Sequence, residues 1–265
     1  MEFDKYRPGT FCWAELATTD QQGAKNFYAQ LFGWESQDNP ISEDSFYTIL
    51  KINGKDVGAL YTLDKDQRES GVPPHWNLYV AVDSVAKYAK AIEKAGGKAI
   101  VGPLDVFDLG KMLVVQDPTG AVFALWEPVK FIGAALAYQP RTMCWFELMT
   151  RDTAGAQKFY SQVFGWKAVA KENSQPPYSI FYLGKAAPEN TVGGLFELTK
   201  EHGDAPPNWM VYWGVDDCDQ TVEKAKSLGA TIHIPPTDIP DEGRFAMIQD
   251  PQGAVFCVIR HKSFG

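Results

Sequence analysis

A carboxylate beside an aromatic side chain occurs twice in the chain, in two closely similar segments. Trp13 and Glu15 lie in FCWAELAT, and Trp145 and Glu147 lie in MCWFELMT. The alternation of residue types predicts β-strands, on which residues two apart share a face. A glutamate on an apolar strand needs water, a cation or a hydrogen-bond donor. Such a group can serve as a hydrogen-bond acceptor, a metal ligand or a general base.

The two segments belong to an internal repeat. Residues 11–34 and 143–166 share 14 of 24 residues without a gap, and QDPTGAVF at 116–123 returns as QDPQGAVF at 249–256. A match of this length indicates a tandem duplication. The sequence therefore predicts a first domain at 1–130, a linker at 131–140 and a second domain at 141–265.

Each half predicts two units in which one helix and three strands follow a first strand. Asp20 is expected to begin the first helix and Gly33 to end it. Turns are expected at Asn39-Pro40 and Asn53-Gly54. In the first half we expect strands near 11–18, 34–38, 45–52, 56–63, 76–82, 98–104, 110–116 and 121–127, and a second helix at 84–95. Four βαβββ units would fill the chain, which predicts an α+β fold.

Composition excludes several functions. Lys and Arg number 25 against 33 Asp and Glu, a net charge of −8, which argues against a nucleic-acid partner. A basic leader and a long apolar run are both missing, so we expect a soluble cytoplasmic protein without membrane contact. The cysteines lie outside any CxxC spacing, which predicts free buried thiols rather than a zinc site or disulfides. They are Cys12, Cys144, Cys218 and Cys257.

The βαβββ order, with FYxxxFGW closing the first helix and DPxG before the last strand, resembles the vicinal oxygen chelate superfamily. This superfamily includes glyoxalase I, bleomycin-resistance proteins and extradiol dioxygenases. The resemblance covers nearly the whole chain. It implies two tandem glyoxalase-like domains, each with a cupped mixed sheet and helices outside. It also implies a divalent metal in the cup, held by His, Glu or Gln from the first, fourth, fifth and eighth strands.

Few residues at those family positions can bind a metal. The first-strand position falls on Trp13 in the first half and Trp145 in the second, and the fourth-strand position falls near Thr62 and Glu197. The fifth-strand position falls on Asn77 and Met210, and the eighth-strand position on Ala124 and Cys257. Only Glu197 is a good ligand for a hard cation, so no cofactor is expected. A register slipped by two residues would bring in Glu15 and His75 in the first cup, and Glu147, Asn208 and Glu197 in the second. That alternative keeps a divalent metal open.

Strand alternation lines the cups with aromatic residues around the repeated glutamates. Large rings with a few polar groups suit a flat apolar or aromatic small molecule. The predicted ligand-binding residues are Trp13, Asn77, Tyr79 and Trp126 in the first cup, and Trp145, Met210 and Tyr212 in the second. The second cup is expected to be the functional one because Glu197 belongs to it.

Three functions are therefore considered. The first is a metal-free, bleomycin-resistance-like protein that binds a small molecule in one or both cups. The second is a metal-dependent enzyme of glyoxalase or dioxygenase type, with Glu15, Glu147 or Glu197 as catalytic residues. The third is a protein-interaction module with filled cups. In that case Trp76, Trp209 and Trp213 would lie on the outer surface and contact the partner protein. A monomer suffices for all three because the duplication supplies both halves, and a homodimer stays open.

Overall fold

Each half of the chain folds into strands and helices in the predicted order. A computed structural model describes residues 1–43, 45–172, 174 and 176–264, and leaves out the side chain of Phe264. The elements of the first half are β1 (Phe11–Thr18), α1 (Gln21–Phe32), β2 (Glu35–Ser42), β3 (Ser45–Ile52), β4 (Lys55–Thr62), α2 (Lys65–Glu69), β5 (His75–Ala81), α3 (Val85–Lys94), β6 (Lys98–Val106), β7 (Gly110–Gln116) and β8 (Val122–Pro128).

The second half repeats this series, with a short 3-10 helix at Lys200–His202 in the place of α2. Its elements are β9 (Met143–Thr150), α4 (Thr153–Phe164), β10 (Trp166–Ala170), β11 (Tyr178–Leu183), β12 (Thr191–Glu197), β13 (Asn208–Gly214), α5 (Cys218–Ser227), β14 (Thr231–Ile239), β15 (Gly243–Gln249) and β16 (Val255–His261). No helix among the described residues is long and apolar enough to cross a membrane.

Each half makes one mixed sheet of eight strands. The first has the order β2-β3-β4-β1-β5-β8-β7-β6, and the second has the order β10-β11-β12-β9-β13-β16-β15-β14. In the first sheet β1 pairs parallel to β4 and antiparallel to β5, and β5 pairs parallel to β8. The expected fold, two tandem α+β domains built from four βαβββ units, is confirmed.

Local signals account for most element ends. The Asp20 carboxylate accepts a hydrogen bond from the Gly23 N–H at 2.9 Å, and Gly33 ends α1 with φ of 71°. The turn at Asn53-Gly54 is present. The turn predicted at Asn39-Pro40 is wrong, because β2 runs through both residues. An edge strand accepts proline because only one of its sides is paired.

The hydrophobic core lies between the two sheets, on the faces that carry the long helices. Phe11 of β1 stacks on Phe146 of β9 with ring centroids 4.3 Å apart. Trp76 and Trp213 meet edge to face at 4.9 Å. Trp76, Trp209 and Trp213 are all buried in this core. These tryptophans therefore form no external docking surface. We call the opposite faces of the two sheets the first cup and the second cup.

Two equivalent hydrogen bonds join the domains. The Tyr28 hydroxyl of α1 donates to Asp250 Oδ2 at 2.9 Å, and the Tyr160 hydroxyl of α4 donates to Asp117 Oδ2 at 2.9 Å. The tyrosines come from the FYxxxFGW motif and the aspartates from the DPxG motif. The two motifs that define the repeat therefore bind each other across the domain boundary.

Candidate functional site

The first cup contains a buried carboxylate held by neutral donors. Glu15, which is 6% exposed, accepts hydrogen bonds from the Tyr79 hydroxyl at 2.6 Å and from the Tyr47 hydroxyl at 2.8 Å. Asn77 lies beside Glu15 as its paired residue on β5. Trp13 Nε1 donates to the Tyr47 oxygen at 3.0 Å. Residues of strands β1, β3 and β5 thus converge on one carboxylate.

The second cup repeats this network around Glu147, which is 8% exposed. Its carboxylate accepts hydrogen bonds from the Tyr178 hydroxyl at 2.8 Å and from the Tyr212 hydroxyl at 3.0 Å. Trp145 Nε1 donates to the Tyr178 oxygen at 2.9 Å. Met210 pairs with Glu147 where Asn77 pairs with Glu15, so Glu147 has one polar neighbour fewer than Glu15.

Burial controls the ionisation of these groups. It raises the pKa of Glu15 and of Glu147, and the tyrosine hydroxyls that bond to each carboxylate oppose the rise. Burial, followed by the nearby glutamate charge, raises the pKa of Tyr79 and Tyr178 well above the ordinary value. The tyrosines therefore stay protonated as donors. Each glutamate can accept a proton or a hydrogen bond from a bound molecule.

The predicted cup residues fall into two groups around the two glutamates. In the first cup the Tyr79 and Trp126 rings meet edge to face, with centroids 6.4 Å apart. In the second cup Met210 and Tyr212 form one buried cluster with Cys257 and Ile259. Partly buried side chains complete that wall, namely Cys144, Trp145, Met149, Ile239, Phe245, Met247 and Val255.

The two cups differ in how far they are closed. Phe131, in the predicted linker, packs edge to face on Trp13 at 4.9 Å and on Trp126 at 6.0 Å. Its carbonyl oxygen accepts a hydrogen bond from Trp126 Nε1 at 2.7 Å. Trp13 is consequently only 3% exposed, whereas Trp145 in the second cup is half-buried. The linker thus closes one end of the first cup.

The predicted place of Glu197 in the second cup is wrong. On β12, Gly194 pairs with Glu147 and Glu197 pairs with Thr150. Three residues along a strand reverse the face, so Glu197 lies on the helix side, exposed, near Thr153 of α4. Its counterpart Thr62 likewise faces α1. The slipped metal set of the second cup therefore loses its third oxygen donor.

The donors at the cups do not fit a divalent ion. Each glutamate has neutral hydroxyl partners, and His75 at the edge of the first cup has Nδ1 2.8 Å from the Pro73 carbonyl oxygen. Within the described part of the chain, no three His, Cys, Asp or Glu side chains are grouped to hold a metal ion. The four cysteines are free thiols, three buried and Cys144 half-buried.

Sequence reasoning missed Tyr47 and Tyr178, which supply one donor to each glutamate. The repeat gave a partial signal, because a tyrosine occurs at the same position of the third strand in both halves. Both strands are separated from the glutamate strand by an intervening strand. Only the sheet order reveals that their side chains reach the carboxylate.

Both halves match one family model, at residues 10–125 and 142–258, described as the Glyoxalase/Bleomycin resistance protein/Dioxygenase superfamily. With the fold and the repeated site, this match shows that the chain belongs to that superfamily.

Two curated relatives match nearly end to end. The chain is 38% identical over 258 residues to a Mycobacterium bovis protein named "Putative glyoxylase CFP32", covering 97% of this chain and 96% of that protein. It is 33% identical over 267 residues to the "Anthracycline biosynthesis protein DnrV" of Streptomyces peucetius, covering 96% of this chain and 94% of that protein.

Solved structures agree on the fold. A Mn(II)-bound glyoxalase from Novosphingobium aromaticivorans matches with a TM-score of 0.65 and 19% identity, over 96% of this chain and 82% of that one. The 2,3-dioxygenase LapB from Pseudomonas sp. KL28 matches with a TM-score of 0.64 and 12% identity, over 95% of this chain and 91% of that one.

Proposed function

We propose that this protein binds a flat, hydroxylated aromatic molecule in the second cup without a metal ion. The observation that carries the proposal is the buried Glu147 carboxylate, fixed by the hydroxyls of Tyr178 and Tyr212. An ionised carboxylate offers about four lone-pair sites, and the two tyrosines occupy two of them. A phenolic hydroxyl of the ligand would donate to a remaining site.

The walls of the second cup supply the apolar part of recognition. Trp145, Phe245 and Met247 are partly exposed around the buried cluster. Aromatic stacking contributes about 0.5–1.5 kcal/mol per pair beyond area burial, and sulfur adapts to irregular ring systems. The half-buried Trp145 leaves more room for a ligand than Trp13, which Phe131 covers.

The relatives support this ligand class. DnrV is named for anthracycline biosynthesis, and its similarity to this chain covers both domains. The name of CFP32 refers to a glyoxylase, and one structural neighbour is a Mn(II)-bound glyoxalase. The neutral donors around Glu147 and the position of Glu197 on the other face favour metal-free binding here.

The raised pKa of Glu147 favours one further candidate activity, a metal-free proton transfer on the bound molecule. A general base works best when its pKa lies near the working pH. Burial raises the pKa of this carboxyl in that direction. Glu147 would then be the catalytic residue, and Tyr212 would position it.

In this proposal a single chain in the cytoplasm is the working form. Both cups are complete within one chain, and a reducing compartment suits four free cysteines. The partner is the small molecule alone.

The test is titration with 1,4-dihydroxyanthraquinone, followed by tryptophan fluorescence and calorimetry. Losing a hydrogen bond to a charged group costs about 1.5–3 kcal/mol, so Glu147→Gln should weaken binding about 10- to 100-fold. The matched control is Glu15→Gln, the same change in the cup that Phe131 closes, which should leave affinity within about twofold. Equal affinity of the Glu147→Gln variant and the parent, or no binding by the parent, would refute the proposal.

A further inference from the structure

A cavity lies on the helix side of the second sheet, where Tyr178 separates it from the second cup. It has a volume of about 390 Å³ and lies between α4 and strands β10 to β12. Its wall includes the Glu197 carboxylate, which the cup does not use. Its lining includes Thr153, Gln157, Ala170, Ser179, Leu195 and Glu197. Lys171 and Tyr178 also border it.

Side chains fill the equivalent place in the first domain. The Gln21 amide of α1 donates to the Phe46 carbonyl oxygen at 3.0 Å and to the Thr48 hydroxyl oxygen at 2.8 Å. One helical turn later, the Lys25 ammonium lies 3.0 Å from an Asp38 carboxylate oxygen. An amide and an ammonium therefore bring N–H donors into the gap between helix and sheet.

Strand pairing fixes the equivalence of the two places. Asp38 pairs with Thr48, which pairs with Leu60, and in the second domain Ala170 pairs with Ser179, which pairs with Leu195. Four of the filling side chains are each replaced by a shorter one. The replacements are Gln21 by Thr153, Lys25 by Gln157, Asp38 by Ala170 and Thr48 by Ser179.

The charge changes along with the volume. The first domain places the Lys25 ammonium here, whereas the second domain has lost that cation and has Glu197 in place of Thr62. Lys171 also borders the cavity, but its ammonium is paired with a Glu242 carboxylate oxygen 2.6 Å away. Among the described residues Glu197 takes part in no ion pair.

We propose that this cavity binds a small organic cation with N–H donors, an amine or an amidine. Its charged group would take the place of the Lys25 ammonium and the Gln21 amide, and would pair with Glu197. Leu195 and Ala170 offer apolar surface to the rest of the molecule. The volume lies at the lower end of the range for small-molecule sites. This proposal does not rest on the one for the second cup, although Tyr178 borders both places.

The test is a titration with benzamidine, followed by backbone amide NMR shifts of Ser179 and Leu195. We expect saturable shifts with a dissociation constant of about 1 mM, in line with a ligand of few atoms. Neutral benzamide, which has nearly the same shape, should bind about tenfold more weakly.

Variants separate the site from general charge effects. Glu197→Gln should weaken benzamidine binding about tenfold, and the double variant Gln157→Lys with Ala170→Asp, which rebuilds the first-domain ion pair, should abolish it. Glu201→Gln removes the same charge from an exposed residue outside the cavity and should change nothing. Shifts that are absent, or that survive both cavity changes, would overturn the proposal. Binding of 1,4-dihydroxyanthraquinone in the second cup should be unaffected by all of these variants.

Discussion

The hydrogen bond from Tyr28 to Asp250 gives a sharp prediction about the coupling of the domains. Tyr28→Phe removes one oxygen with two partners. Asp250 Oδ2 loses a donor at 2.9 Å, and Trp76 Nε1 loses an acceptor at 3.1 Å. Both partners are buried.

The magnitude follows from these two losses. A buried polar group left without its partner costs about 1–3 kcal/mol. Two such groups predict a loss of about 2–6 kcal/mol in the free energy of unfolding, a large part of the total stability of a typical protein. Tyr160→Phe should have a similar effect, because Tyr160 bonds to Asp117 and accepts from Trp209 in the same way.

Urea unfolding monitored by circular dichroism measures the effect. The control is Tyr88→Phe, on a half-buried ring that stacks on Phe164, which should change stability by less than about 0.5 kcal/mol. The Ala254 amide, which donates to Asp250 Oδ1 at 2.9 Å, should exchange faster in Tyr28→Phe. A loss below about 0.5 kcal/mol in Tyr28→Phe, or a separate unfolding transition for each domain, would refute this reasoning.

Three further predictions concern the second cup. Burial raises the pKa of Glu147 above its unfolded value of 4.5, so the stability from this group is present below that value and is lost as the pH rises through the folded pKa. Glu147→Gln should therefore gain stability relative to the parent as the pH rises above about 4.5, by about 1.4 kcal/mol for each tenfold decrease in the acid dissociation constant. A pH-independent difference in urea unfolding would contradict this. Gly194→Ala places a methyl group against the Tyr178 hydroxyl. It should weaken binding of 1,4-dihydroxyanthraquinone about tenfold, as measured by calorimetry. Unchanged affinity would show that this tyrosine is not needed for binding. Elemental analysis should find far less than one divalent metal ion per chain, and EDTA should leave ligand affinity unchanged, whereas near-stoichiometric metal would favour the metal-dependent enzyme.

Which residues share a sheet face could be predicted because strand alternation has a fixed period of two. Once β1 was placed, the parity of Trp13 and Glu15 followed, and the duplication carried it to Trp145 and Glu147. The prediction about Glu197 failed although Thr62 and Glu197 are equivalent, because both lie one residue beyond the cup-facing Tyr61 and Phe196. A one-residue change of register moves a side chain to the other face.

Contacts between distant elements could not be predicted from the sequence, for a different reason. Tyr47 and Tyr178 lie two strands away from the glutamates they bond to. The partners of Tyr28 and Tyr160 lie in the other domain. Such contacts depend on the tertiary arrangement, which local periodicity does not encode. The short helix α2 is missing from the predicted elements because its five residues are all polar or charged, so no apolar periodicity marks it.

The exchange of motifs between domains also constrains how the two gene copies can evolve. The Asp117 loop belongs to the first copy but supports a helix of the second, and the reverse holds for Asp250. A substitution in either motif therefore disturbs a contact of the other half. Cleavage in the linker should leave two fragments that remain associated through their shared core, and neither fragment should be stable alone.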